Sequence, residues 1–192
     1  MKWSLRPVRR VRPVRENVLQ TVRRGMLANV SGDVIELGAG DGKSLPYFPY
    51  QHIDSLTLVD ARFSKSVHKQ DMHQVPVTFV SRRLDDLPFG RHSFDYACLF
   101  FVLSATTEPY RVLAALRRTM RPGGRVLFID YLRPIGPSAL LYDGVNLVHR
   151  LATRGNSSLS RNVVNILEVS GFRVVSAARC GSIFVYGEAE LV

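Results

Sequence analysis

Residues 33–45, Asp-Val-Ile-Glu-Leu-Gly-Ala-Gly-Asp-Gly-Lys-Ser-Leu, constrain the fold of this chain more than any other stretch. Val34, Ile35 and Leu37 make the short apolar run of a buried parallel strand, and Gly38, Gly40 and Gly42 follow at alternate positions. A loop so poor in side chains can turn sharply and let the backbone approach a ligand, although a plain strand-to-helix turn has the same composition. The dinucleotide fingerprint would need a glycine where Lys43 stands. Glu36 enters the loop and Asp41 lies inside it, where a diphosphate needs uncompensated N–H groups. Carboxylates in these places suit a ligand that brings a cation or sugar hydroxyls.

A second strand, residues 55–60, ends in Asp60, near the ~20-residue interval at which nucleotide-binding α/β folds set an acid against ribose hydroxyls. Further on, Asp86-Leu-Pro-Phe89, Ser93-Phe-Asp95 and Arg121-Pro-Gly-Gly124 follow in order. With 192 residues the chain is long enough for one domain with a sizeable core. Cys98 and Cys180 are too few for a disulfide framework, and neither they nor the five scattered histidines have metal-ligand spacing, so no metal is expected. No apolar stretch reaches the ~18 residues of a membrane span, and residues 1–15 lack the apolar core of a signal peptide, so a cytoplasmic location is expected.

Charge is unevenly spread. Residues 1–32 hold eight basic residues against Glu16 alone, which is +7 of the chain's +10. Residues 1–13, with Pro7 and Pro13 among arginines, read as an extended basic arm ahead of a single domain over residues 14–192. Such an arm, with Trp3 in it, suits an anionic membrane surface contacted through residues 1–24, or else nucleic acid. Val14, Val18, Leu19, Val22 and Met26 then fall at helical spacing, with Arg23 and Arg24 elsewhere on the wheel.

The remaining chain alternates strands and helices. Short helices are expected over residues 43–50 and 61–73, and strands over 75–80, 94–101 and 125–129. Thr107 should cap a helix that Arg121-Pro-Gly-Gly124 stops. Residues 138–152 and a helix capped by Ser160 precede two closing strands, 172–178 and 182–187, joined at Gly181. The pattern predicts an α/β fold: a doubly wound, Rossmann-like, seven-stranded sheet with helices on both faces, mostly parallel, its last strand antiparallel. Ligands bind such sheets at the carboxyl ends of the strands, where the strand order reverses.

Glu36-Leu-Gly-Ala-Gly-Asp-Gly42, Asp60, Asp86-Leu-Pro-Phe89, Ser93-Phe-Asp95 and Arg121-Pro-Gly-Gly124 together resemble class I S-adenosylmethionine (SAM)-dependent methyltransferases of the type-11 group. Leu45-Pro-Tyr47, Val102-Leu103, Asp130-Tyr-Leu132, Leu159-Ser-Arg161 and Ile183-Phe-Val-Tyr186 are similar to small bacterial relatives of the membrane-associated alkyl-thiol S-methyltransferases. Asp130-Tyr131 replaces that group's Glu-His and Ser157-Ser158 its common Cys-His, so its thiol acceptor does not carry over.

The resemblance implies SAM as cofactor, with S-adenosylhomocysteine as product. Gly38, Ala39, Gly40 and Gly42 would admit its methionine portion and Glu36 would orient the loop. Asp60 and Ala61 would meet the ribose, Leu84 and Asp85 the adenine, and Phe100 would line the site. The aspartate usual at the start of the adenine loop is here Arg83. Asp130, Tyr131, His149 and Ser104 are the candidate catalytic groups on the acceptor side. Methyl transfer from a sulfonium needs chiefly proximity, and a base only if the acceptor still holds a proton. No Asp/Asn-Pro-Pro-Tyr/Phe follows the fourth strand, which disfavours nucleobase acceptors despite the charge. The expected function is therefore methylation of a small lipophilic or lipid-like acceptor, at a membrane surface. The alternatives are an RNA or protein methyltransferase with a polyanion-binding arm, and a non-catalytic SAM-fold partner subunit.

Overall fold

The computed structural model describes residues 16–72, 75–134, 138–155, 158–159 and 161–192. The basic arm, His73, Ser157 and the Ser160 cap lie outside these residues.

Seven strands form one sheet: β1 (Gly32–Leu37), β2 (Ile53–Asp60), β3 (Val77–Ser81), β4 (Phe94–Phe100), β5 (Met120–Tyr131), β6 (Phe172–Cys180) and β7 (Phe184–Leu191). Their order is β3-β2-β1-β4-β5-β7-β6. Pairings from β3 through β5 are parallel, and β7 runs antiparallel to both neighbours. Strand order reverses between β1 and β4, so the ligand crevice belongs outside their carboxyl ends.

Two apolar layers cover the sheet. On one face α1 (Glu16–Leu27), Leu45, Phe48, Tyr50 and Val67 pack against Val34, Leu56, Leu58, Cys98 and Ile129. On the other, α3 (Pro109–Thr119) and α5 (Val163–Val169) cover Ile35, Leu37, Leu99 and Phe128. Between β4 and α3 lies the four-residue α2 (Val102–Ala105), and α4 (Ser138–Ala152) follows β5.

Local sequence effects move several boundaries. Residues 61–73 were expected to be helical, yet among the described ones only the single turn Val67–Lys69 is. Asp60 Oδ1 accepts from the Arg62 N–H and Ser64 Oγ from the Ser66 N–H, and such local bonds compete with a helix. In residues 43–50, Pro46 and Pro49 leave only the short 3₁₀ turns Leu45–Tyr47 and Tyr50–His52. Glu108, not Thr107, takes the N-cap position of α3, and the Glu108 N–H donates to Thr106 Oγ1 at 3.2 Å. Arg121-Pro-Gly-Gly124 does not stop a helix. It is an irregularity inside β5, where the register against β4 shifts between Phe94 and Tyr96 and Gly123 takes φ +72°. Its arginine bridges Asp33 and Asp95 at the amino ends of β1 and β4, away from the crevice.

Candidate active site

The glycine turn is held by β2. The N–H groups of Gly38 and Ala39 both donate to the Val59 carbonyl, at 2.7 and 3.3 Å, and the Gly40 N–H donates to Asp60 Oδ2 at 2.9 Å. These amides are already engaged, so the turn offers no row of free donors to a diphosphate. Its glycines serve different ends. A Cβ on Gly38 would stand 3.0 Å from Val102 Cγ2, and one on Gly40 only 3.6 Å from Asp60 Oδ2, so at Gly40 the left-handed φ of +49° is what favours glycine. At Gly42 a Cβ would lie 2.7 Å from both Val67 Cγ2 and Gln70 Nε2. Gly42 therefore serves packing against the next turn.

Glu36 sits under this turn, 3% exposed, and its Oε2 has no hydrogen-bond partner. Burial pushes its carboxyl up to about 7, against the lowering effect of a hydrogen bond with Ser44 and the charge of Arg23. Arg23 is itself 5% exposed, its Nε also lacks a partner, and its guanidinium lies 5.4 Å from the centroid of Phe100. The expected place of Arg23, off the apolar side of α1, is thus corrected. Leu19, Val22, Arg23, Met26 and Leu27 form the inward stripe at i, i+3, i+4, i+7 and i+8, while Val18 is exposed. A burial of this kind also withdraws Arg23 from any membrane contact through residues 1–24.

Beyond Asp60 opens a cleft of about 610 Å³, lined by Ala61, Leu84 and Asp85 together with Arg62, Val102 and Thr106. Three of the expected cofactor-binding residues therefore meet in one place. Asp85 accepts from Arg83 Nε and Nη2, both at 3.0 Å, which holds its carboxyl below the usual range. Arg83, standing where the aspartate was expected, fixes the carboxylate two residues on. Phe100 does not line this cleft; it is the buried floor under Arg23.

On the acceptor side, Asp130 and Ser104 take different roles from those expected. Asp130 is fully buried and accepts from the N–H groups of Leu103, Ser104 and Tyr131 at 2.9, 3.2 and 2.8 Å. Ser104, 2% exposed, adds its hydroxyl to the same carboxylate. Asp130 thereby caps α2, and neither side chain has a surface for an acceptor to touch. Arg161 fixes the other end of α2 by donating to the Leu103 carbonyl at 2.6 Å and to that of Thr106. Two charges from distant segments thus pin the four residues that carry Val102 into the cleft.

Tyr131, partly exposed, remains beside the crevice with Phe101 and Phe184, their ring centroids 5.2–5.6 Å apart. Burial, and then the charge of Asp130, raise the Tyr131 phenol above its ordinary value, so it keeps its proton at neutral pH. Phe101 has φ +62°, a conformation costly for a bulky side chain and concentrated at functional sites. Its left-handed backbone has no mark in the sequence, since no residue pattern signals such a phenylalanine. His149 is half-buried on α4. Cys98 is buried and its thiol pushed well up, which makes it inert core.

The strand order, with helices on both faces of the sheet, is that of the Rossmann-like methyltransferase fold. Residues 35–128, just under half of the chain, match the family described as methyltransferase domain. The chain is 32% identical over 134 residues to a phosphatidylethanolamine N-methyltransferase of Cereibacter sphaeroides, covering 64% of each protein. It is 29% identical over 113 residues to a demethylmenaquinone methyltransferase of Paenarthrobacter aurescens, covering 58% of this chain and only 44% of that one. The N-methyltransferase NodS of Bradyrhizobium japonicum, solved with S-adenosylhomocysteine, shares the fold at a TM-score of 0.67 and 15% identity, covering 92% of this chain and 86% of that one.

The residues present fit SAM. A buried carboxylate oxygen without a partner suits the ammonium group of its methionine portion, and Asp60, partly exposed, has lone pairs left for ribose hydroxyls. Ala61, Leu84 and Val102 give the cleft the apolar walls that a purine stacks on.

Proposed function

We propose that this protein methylates a lipophilic acceptor, lipid-like or quinone-like, presented at a membrane surface. The observation that carries this reading is the trio of Phe101, Tyr131 and Phe184, where the carboxyl ends of β4 and β5 meet the amino end of β7. The names of the two relatives, a phosphatidylethanolamine and a demethylmenaquinone methyltransferase, point to acceptors of that chemistry.

When bound, SAM supplies a methyl group made electrophilic by a sulfonium. Everything else falls to the chain's own residues. Glu36 and Asp60 anchor the cofactor's two polar ends, and Leu84 with Val102 flanks its base. Asp130 and Arg161 act as positioning residues by holding α2 still. The aromatic trio orients an apolar ring or chain and keeps water from the reacting atoms, so that rate comes from proximity. Asp130 is buried and Tyr131 holds its proton, so neither of these two described residues offers an acceptor a strong base. An amine or an acidic ring acceptor, which needs little help in losing a proton, suits such a site.

Incubation with methyl-labelled SAM and fractionated cell extract tests the reading. Label should enter the lipid fraction. Label in RNA or protein instead would overturn the acceptor class, and no label from protein that still binds S-adenosylhomocysteine would overturn catalysis.

A further inference from the structure

Helix α4 is built inside out. At about 100° per residue, Leu140, Leu141, Val145, Leu147, Val148 and Leu151 occupy one continuous sector, and it is the outward one. Leu140, Leu141, Val148 and Leu151 are 66–79% exposed. Among the described residues, six of the eleven exposed large apolar side chains belong to this one helix, a density that marks an interaction surface.

The polar residues of α4 face inward or sideways and tie it down. Tyr142 donates to the Leu159 carbonyl at 2.7 Å, Asn146 Oδ1 accepts from the Leu159 N–H at 2.8 Å, and Asp143 is paired with Arg133. A helix so tethered presents its leucines outward rather than leaving them there by fraying.

We infer that α4 docks on an anionic lipid bilayer, lying flat with its leucine face in the headgroup–acyl boundary. Charge complementarity decides the occupant. Asp143, the helix's one acidic residue, is neutralised by Arg133, and exposed Arg150 and Arg154 rim its C-terminal end. The chain's net charge of +10 favours an anionic surface and opposes pairing with a second copy. Fifteen helical residues span only about 22 Å, short of the ~30 Å bilayer core, so α4 lies in the surface instead of crossing it.

The inference deepens the proposed function and, for its purpose, rests on it. α4 is the next helix after β5, and Leu159, which holds its Tyr142 and Asn146, adjoins Ser158, whose N–H donates to the Ser104 carbonyl of α2 at 2.8 Å. The leucine face therefore seats the aromatic trio's side of the molecule on the bilayer, and a lipophilic acceptor need not cross water to reach it.

Vesicle binding, read without any methyl transfer, tests the docking separately from the reaction. Trp3, the chain's one tryptophan, is replaced by Phe, and a probe is placed either on α4 (Val148→Trp) or on exposed β6 (Val175→Trp). On phosphatidylglycerol-containing vesicles the Val148→Trp emission should shift to the blue and be quenched by acyl-brominated lipid, while Val175→Trp should show neither change. Combined Leu141→Ser, Val148→Ser and Leu151→Ser should lower the partition coefficient roughly tenfold or more. The inference is overturned if intact protein sediments with vesicles yet Val148→Trp stays unshifted and unquenched, or if the triple variant partitions equally. It is also overturned if the Val148→Trp shift appears without lipid and tracks a dimer in light scattering, which would assign the face to a second copy.

Discussion

The titration of Glu36 gives the site a pH signature. Burial places its carboxyl at about 7 without ligand, and the unpartnered Oε2 is the atom proposed to meet the cofactor's ammonium. An ammonium binds the ionised form, so below 7 binding must first remove a proton, at a cost approaching tenfold per pH unit. Between pH 7.5 and pH 6.0 the affinity for S-adenosylhomocysteine should fall roughly eightfold, with net proton release that varies the calorimetric heat between buffers. Glu36→Gln should bind about 10–100-fold more weakly at pH 7.5, the loss of one charge-assisted hydrogen bond, and show no slope. Stability carries the opposite sign. A carboxyl raised from 4.5 to about 7 leaves the folded chain holding more protons, so stability falls as pH rises through that window. The full shift corresponds to about 3 kcal/mol, which Glu36→Gln should recover above pH 7. An affinity flat from pH 6.0 to 7.5 in the unaltered protein, or an equal slope in Glu36→Gln, would refute the reasoning.

Other substitutions separate anchoring from chemistry. Removing the charge of Arg23 (Arg23→Met) takes away a cation that lowers the Glu36 carboxyl, so the midpoint of the affinity–pH curve should move upward; an unchanged midpoint in calorimetry would show the two groups uncoupled. Asp130→Asn turns an amide donor towards N–H groups that need an acceptor. It should cost about 2–3 kcal/mol in chemical denaturation, whereas a catalytic base at this position would lose turnover at unchanged stability. Phe101→Gly relieves a left-handed φ while deleting one ring of the trio, so kcat/KM for the lipid-fraction acceptor should drop with S-adenosylhomocysteine affinity unchanged. Equal losses in both would move Phe101 into the cofactor site.

Much of this was legible because parallel-sheet sequences advertise themselves. The apolar runs at residues 34–37, 55–60 and 94–101 are strands whose alternation with helices implied a doubly wound sheet, but it did not fix the strand order that sets the reversal between β1 and β4. Ala61, Leu84 and Asp85, expected at the cofactor by resemblance, line one cleft because the loops leaving β2 and β3 both open onto it. Side-chain direction was harder. Asp130 near the end of β5 and Ser104 just past β4 hold reactive-looking positions, yet the short α2 needed its N–H groups capped and drew both inward. Arg23 carried a usable signal, since Leu27 extends the apolar arc of α1 around it, but a charge in such an arc reads by default as solvated. The outward direction of the α4 leucines had no mark in the sequence, because periodicity reveals that a helix has an apolar side, never which way it faces. Residues 61–73 misled through composition: serines beside an aspartate served turns instead of a helix.

The central claim is that a glycine turn hung on Asp60 receives SAM. It is tested most directly by titrating S-adenosylhomocysteine into Asp60→Ala and Gly40→Val proteins that retain the parent's circular dichroism and cooperative unfolding. Asp60→Ala removes the carboxylate that holds the Gly40 N–H and faces the ribose. Gly40→Val forces a β-branched residue into φ +49° beside that carboxylate. Both should lose at least roughly tenfold in affinity, about 1.4 kcal/mol. Folded variants that bind as tightly as the parent would contradict the claim.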